Sequence, residues 1–183
     1  MTLKLSILSI VLGLGLGLPQ VYGILKPAAF AAAVRQFPRS VPWGVALMML
    51  GTGWFLWNLD QESISDFATL KTPMMVGFAA VGVGTCIFVQ DFLAVRGLAV
   101  VLLLLAKLMV DAGRPLLPVT HWVWVIQIWA YVLVVAGIWF TVQPWRLRDF
   151  LNWATANENR VRLGSAARLA FGLLVAALGL IKF

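Results

Sequence analysis

The charges of this chain are gathered into short clusters, and the stretches between them are apolar for about as long as a bilayer is thick. Of 183 residues, 62% are hydrophobic and 11% charged, whereas a soluble domain carries about a quarter charged residues. A helix crosses the ~30 Å hydrocarbon core with roughly 20 mainly apolar residues at about 1.5 Å each. The pattern therefore predicts an all-α, polytopic helical membrane bundle forming one integral membrane domain over residues 1–183. Six spans would use about 120 residues by that rule, so what remains is connector, too little for a separate soluble domain.

The spans are expected at residues 5–25, 42–59, 73–90, 92–112, 121–142 and 163–183. The first has a rival reading as a secretory signal peptide, with Lys4 as the basic n-region and Val21-Tyr22-Gly23 as the cleavage site. Because Tyr22-Gly23-Ile24-Leu25 continues the apolar run, a retained span is favoured; processing would leave five. Between the third and fourth spans only Gln90 and Asp91 break the apolar run, so a tight turn is expected there.

Three connectors have the periodicity of helices lying in the interface. Phe30, Val34 and Phe37 fall at i, i+4, i+7 after Pro27, a residue suited to a first helical turn. Leu147, Phe150, Leu151 and Ala154 repeat the pattern after Pro144, with Arg148, Asp149 and Asn152 on the other face. Ile64, Phe67 and Ala68 make a shorter case within 63–70, where Ser63 and Asp66 have capping-box spacing. Such amphipathic pieces sit at headgroup depth or pack on their own bundle.

Six spans place Lys26, Arg35, Arg39, Arg96, Arg146, Arg148, Arg160 and Arg162 on one side, and Lys4, Lys71, Lys107, Arg114 and Lys182 on the other with Asp60, Glu62 and Asp66. The positive-inside rule counts only Lys and Arg, and puts the first group in the cytoplasm and both termini outside it, as in a bacterial inner-membrane protein. The net charge of +7 then points to anionic lipid and not to nucleic acid. Arg35, Arg39, Arg146, Arg148, Arg160 and Arg162 are the expected headgroup contacts. The first and last hairpins share a plan, Lys26-Pro27 with Arg35 and Arg39 answering Gln143-Pro144 with Arg160 and Arg162, a weak trace of duplication.

Helices in lipid associate through close backbone contact and polar links. Gly13 and Gly17, Ala80 and Gly84, and Ala166 and Ala170 leading to Gly172, Ala176 and Gly179 supply small-residue faces. Of nine tryptophans, Trp43, Trp57, Trp122, Trp145 and Trp153 lie near span ends, as an aromatic belt requires. Trp54, Trp124, Trp129 and Trp139 lie deeper, where they pack at helix contacts, face lipid, or line a site for a flat hydrophobic ligand.

Charged groups within spans are the default functional candidates in a membrane protein. Arg96, Lys107 and Asp111 belong to the fourth span, and Lys107 and Asp111 are spaced to pair at i, i+4. Set against a transport role, the ten uncharged residues between Arg96 and Lys107 measure about 15 Å. With both side chains reaching outward by roughly 6 Å each, the apolar length approaches the bilayer core, so no charge has to be buried. In the fifth span Trp124, Gln127 and Tyr131 form a stripe at i, i+3, i+7, extended outward by Thr120. It would join two helices or hydrogen-bond a quinone or lipid headgroup.

Cys86 is the only cysteine and His121 the only histidine, so neither a disulfide nor a metal centre is expected. The chain contains no GxxxxGK, HExxH or GxSxG motif. No cofactor is expected, and a non-catalytic protein is, acting as a small accessory or scaffold subunit that docks on other membrane proteins or on itself. The rival reading is a small transporter or channel using Lys107 and Asp111, with Thr52, Asn58, Thr85, Gln127 and Ser165 along its route. A membrane enzyme acting on lipid or quinone comes third.

Overall fold

The computed structural model describes residues 5–62 and 70–183, whose regular structure is all helix, with no strand among them. The helices are α1 (Leu5–Leu25), α2 (Pro27–Gln36), α3 (Val41–Gln61), α4 (Lys71–Phe88), α5 (Leu93–Gly113), α6 (Val123–Val142), α7 (Trp145–Ala154) and α8 (Glu158–Ile181). Five helices, namely α1, α4, α5 with the turn after it, α6 and α8, are long and apolar enough to cross a membrane. The expected second span, α3, is 21 residues long but is not among the five. Pro42, three glycines, Asn58 and three tryptophans dilute its apolar content. The expected helix around Ile64, Phe67 and Ala68, its Ser63/Asp66 cap, and Lys4 lie outside the described residues.

Two of the expected interfacial connectors are helices, α2 and α7. α8 starts five residues before the expected span, because Asn157 caps it by accepting a hydrogen bond from the Arg160 backbone N–H at 2.8 Å. Pro19 sits within α1 without ending it. Its missing N–H frees only the Gly15 carbonyl. Between α4 and α5 the chain turns through Gln90 and Asp91, and Phe92 takes a left-handed conformation with φ 54°.

The contacts divide the chain into two compact units: Met1–Gln36 with Leu105–Val134 and Arg148–Phe183, and Phe37–Leu104 with Val135–Leu147. In the first, α1 and α8 run antiparallel along their whole length. Ser9 lies on Gly179, Gly13 on Gly172 and Ala176, Gly17 on Leu169, and Gly23 on Ser165. A Cβ added at Gly13 would stand 2.7 Å from the Ala176 amide nitrogen, and one at Gly172 would stand 2.5 Å from the Gly13 carbonyl oxygen. Only glycine admits this approach, which brings backbone dispersion contacts into a seam that lipid cannot fill. The unit's core continues through Ala106 and Met109 of α5, Val123, Ile126 and Ala130 of α6, and Val175 of α8.

In the second unit α3 and α5 run parallel. Gly44 faces Leu93 and Ala94, Gly97 faces Leu47 and Met48, and Gly51 faces Val100, an almost constant offset. α4 packs on α3 through Gly82, whose hydrogen side receives Thr52, and through the Phe55–Phe78 ring pair at 4.9 Å. The small face of α4 is thus Gly82 and not the expected Ala80/Gly84: Ala80 is exposed, and a Cβ at Gly84 would meet only Phe88 of its own helix. Most of the other large apolar side chains of α4 (Val76, Val81, Val83, Ile87, Phe88) face outward.

Candidate functional site

Lys107 and Asp111 form the ion pair their spacing predicts, with Nζ 2.9 Å from Oδ2. Both side chains are half exposed on the outward side of α5, whose inward side is Ala106 and Met109. Lys107 lies six residues and Asp111 two residues from the end of α5, and a long side chain so placed can reach toward the headgroup layer. Arg96 lies in the first turn of α5, half-buried, with its Nε buried and lacking a hydrogen-bond partner among the described residues.

The stripe of Trp124, Gln127 and Tyr131 does not act as one surface. Gln127 is 4% exposed, while Trp124 and Tyr131 are 53% and 60% exposed. The buried face of α6 is Val123, Ile126, Gln127 and Ala130, and Gln127 stands at its edge. Trp124 and Tyr131 lie some 40–60° further round, given 100° per residue. The Gln127 amide donates to the Val110 carbonyl of α5 at 3.3 Å and lies against Gly113. Of the two roles foreseen for Gln127, joining helices is the one its surroundings support.

The other polar residues of a possible transport route are hydrogen-bonded on their own helices or packed at helix contacts. Asn58 donates to the Trp54 carbonyl at 2.9 Å and Thr85 to that of Val81 at 2.7 Å, one turn back on their own helices. Thr52 packs on Gly82 and Ser165 on Gly23. Ser165 and Ser9 are fully buried, and neither hydroxyl has a hydrogen-bond partner in the seam.

The expected headgroup arginines divide into two groups. Arg35, though exposed, is tied back onto the fold, its Nε donating to the Thr155 hydroxyl at 2.8 Å and its Nη2 to the Thr155 carbonyl. The buried Thr155 hydroxyl in turn donates to the Leu151 carbonyl at 2.7 Å, so this arginine fastens the end of α2 to the end of α7. Arg148 is paired with Asp149 at 2.8 Å. Arg39, Arg146, Arg160 and Arg162 remain on the surface. Arg146 bonds Gln143 at 2.9 Å, Arg162 lies 3.9 Å from Glu158, and the Arg160 guanidinium stands 5.3 Å from the Trp153 ring centre. Phe150 and Trp153 of α7 are exposed beside them.

The deep tryptophans also divide. Trp129 stacks edge-on against Phe171 at 5.2 Å, while Trp124 and Trp139 face outward. Trp54 and Trp57 line an open apolar trough of about 500 Å³ with Met49, Leu50 and Gly53. All five belong to α3, so the trough is a groove in one helix surface. His121 is exposed. Among the described residues, no three His, Cys, Asp or Glu side chains converge.

The sequence reading passes over Arg168, which lies within the last apolar run. The structure places it half-buried on α8, with Nη1 donating to Oε1 of Gln20 on α1 at 3.2 Å. Gln20 is itself buried. A search of every apolar run for a basic residue finds Arg168 at once; a tally of connectors does not. No family model, curated protein or solved structure matches this chain.

Proposed function

We propose that this chain is a non-catalytic integral membrane protein, a small accessory or scaffold subunit whose outer helical faces dock on other membrane proteins. The observation that carries the reading is where the polar groups of the helices go. Gln127 bonds a neighbouring helix, Asn58 and Thr85 bond their own, and Lys107 pairs with Asp111 on an outward face. Side chains so engaged serve helix association and bilayer depth, and they supply little to conduct a solute. The outward apolar side of α4 adds surface for a partner.

In this reading α3 joins those five apolar helices as a sixth span, and the basic connectors face the cytoplasm in the manner of a bacterial inner-membrane protein, with both termini opposite. Arg39, Arg146, Arg160 and Arg162 then meet anionic headgroups, and Phe150 and Trp153 sit at the interface beside them.

The test is mild extraction of the tagged protein from its own membrane, followed by native mass spectrometry. Recovery in fixed stoichiometry with other membrane proteins is the expected result. A lone chain that moves solute across reconstituted vesicles would overturn it in favour of transport.

A further inference from the structure

We propose that Arg168, held by Gln20 and laid along Gly164, binds the phosphate of an anionic phospholipid at the α1–α8 seam. The proposal rests on the membrane reading and adds to it a defined site. A guanidinium has five N–H donors, and among the described residues Arg168 has one hydrogen-bonded acceptor, the Gln20 carbonyl oxygen at 3.2 Å. Among the described residues no carboxylate answers its charge, whereas Arg148 and Arg162 lie by Asp149 and Glu158. A half-buried arginine on a span without a counter-charge calls for an anion from outside the chain.

Geometry selects a lipid phosphate. From Arg168 to Ile181 the helix rises about 20 Å, short of the ~30 Å hydrocarbon core. The side chain, however, points back toward the N-terminus of α8, as helical side chains do. A Cβ placed on Gly164 would stand 3.5 Å from Arg168 Nη2 and meet nothing within 4 Å beyond the Arg168 guanidinium. Measured from Gly164, the rise to Ile181 is about 26 Å, so the charge lies just inside the edge of the hydrocarbon, within reach of a phosphate drawn toward it. The missing side chain at Gly164 leaves the guanidinium open on its outer side, while the buried Gln20 amide fixes the inner one. Lys26, Arg160 and Arg162 flank the same end of the helix pair and raise the local concentration of anionic headgroups.

The experiment is native mass spectrometry of the intact protein in detergent, titrated with dioleoyl-phosphatidylglycerol or dioleoyl-phosphatidylcholine. The wild type is expected to bind the anionic lipid about tenfold more tightly, the scale of one charge-assisted hydrogen-bonded contact. Arg168→Gln should lose that preference, Arg168→Lys should keep part of it, and Arg114→Gln, at the far end of the unit's α5, should leave it intact. Gly164→Ile keeps the arginine and fills the open side, so it should also lose the preference with helicity unchanged. Equal binding of the two lipids by the wild type, or an undiminished preference in Arg168→Gln, overturns the proposal. Displacement of the bound lipid by millimolar inorganic phosphate overturns the lipid as the occupant. Alkaline carbonate extraction separates the two levels: release of the protein from membranes defeats the membrane reading itself, whereas a retained protein with no lipid preference defeats only this site.

Discussion

Gly13 and Gly172 face each other across the α1–α8 seam so closely that a Cβ on either would strike the other's carbonyl oxygen. The blocking atoms are backbone, which cannot swing aside, so the contact tolerates no side chain without moving a helix.

A methyl group at Gly13 should therefore separate the helices. Gly13→Ala is expected to destabilise the fold by about 1–3 kcal/mol, the usual range for overpacking. Gly15→Ala, with nothing within 4 Å, should be neutral or stabilising. Unfolding by mixed-micelle denaturant titration compares the two, and equal losses would remove the seam as the reason.

Gln127 offers a test of the interhelical bond. Gln127→Leu removes the donor to Val110 and fits the apolar face around it. Its cost should be about 0.6 kcal/mol, the average for such bonds in membranes. Gln127→Ala, which also opens space beside Gly113, should cost more. Stability of the two variants in the same detergent decides it.

Lys107 and Asp111 discriminate scaffold from transporter. Replacing both by alanine should change stability by less than about 1 kcal/mol, since each is half exposed. It should leave complex assembly intact. Solute flux present in the wild type and abolished in the double variant would contradict the scaffold reading.

Arg35 makes a local prediction. Arg35→Ala frees the Thr155 hydroxyl and carbonyl, so amide exchange at the end of α7 should quicken while the α1–α8 seam keeps its protection. Arg35→Lys should behave like alanine, because a single ammonium does not reproduce two directed guanidinium bonds.

The helix boundaries were largely legible because charged and proline residues punctuate the chain. Leu5 and Leu25 bound both the first apolar run and α1. The start of α8 was missed because a helix in the interface need not be apolar, and the run from Glu158 to Arg162 reads as connector. Periodicity placed Gln127 on a stripe with Trp124 and Tyr131, yet it could not say which flank of that stripe turns inward. Gly13 and Gly17 announced a close contact but not its partner, and nothing in a linear pattern pairs α1 with α8 or sets α3 parallel to α5. Arg168 was present in plain letters. It needed α1 beside it to become a site, because Gln20 gives the guanidinium its direction.

The pairing of α1 with α8 also imposes an order on biogenesis. Roughly 130 residues separate the end of α1 from the start of α8, which takes about 7–26 s to translate at 5–20 residues per second. Throughout that interval the glycine groove of α1 stays open, and Ser9 and Gln20 have yet to meet α8. The seam is a lock whose key is made some 130 residues after it, and α1 carries its half of the contact unmatched until α8 is synthesised.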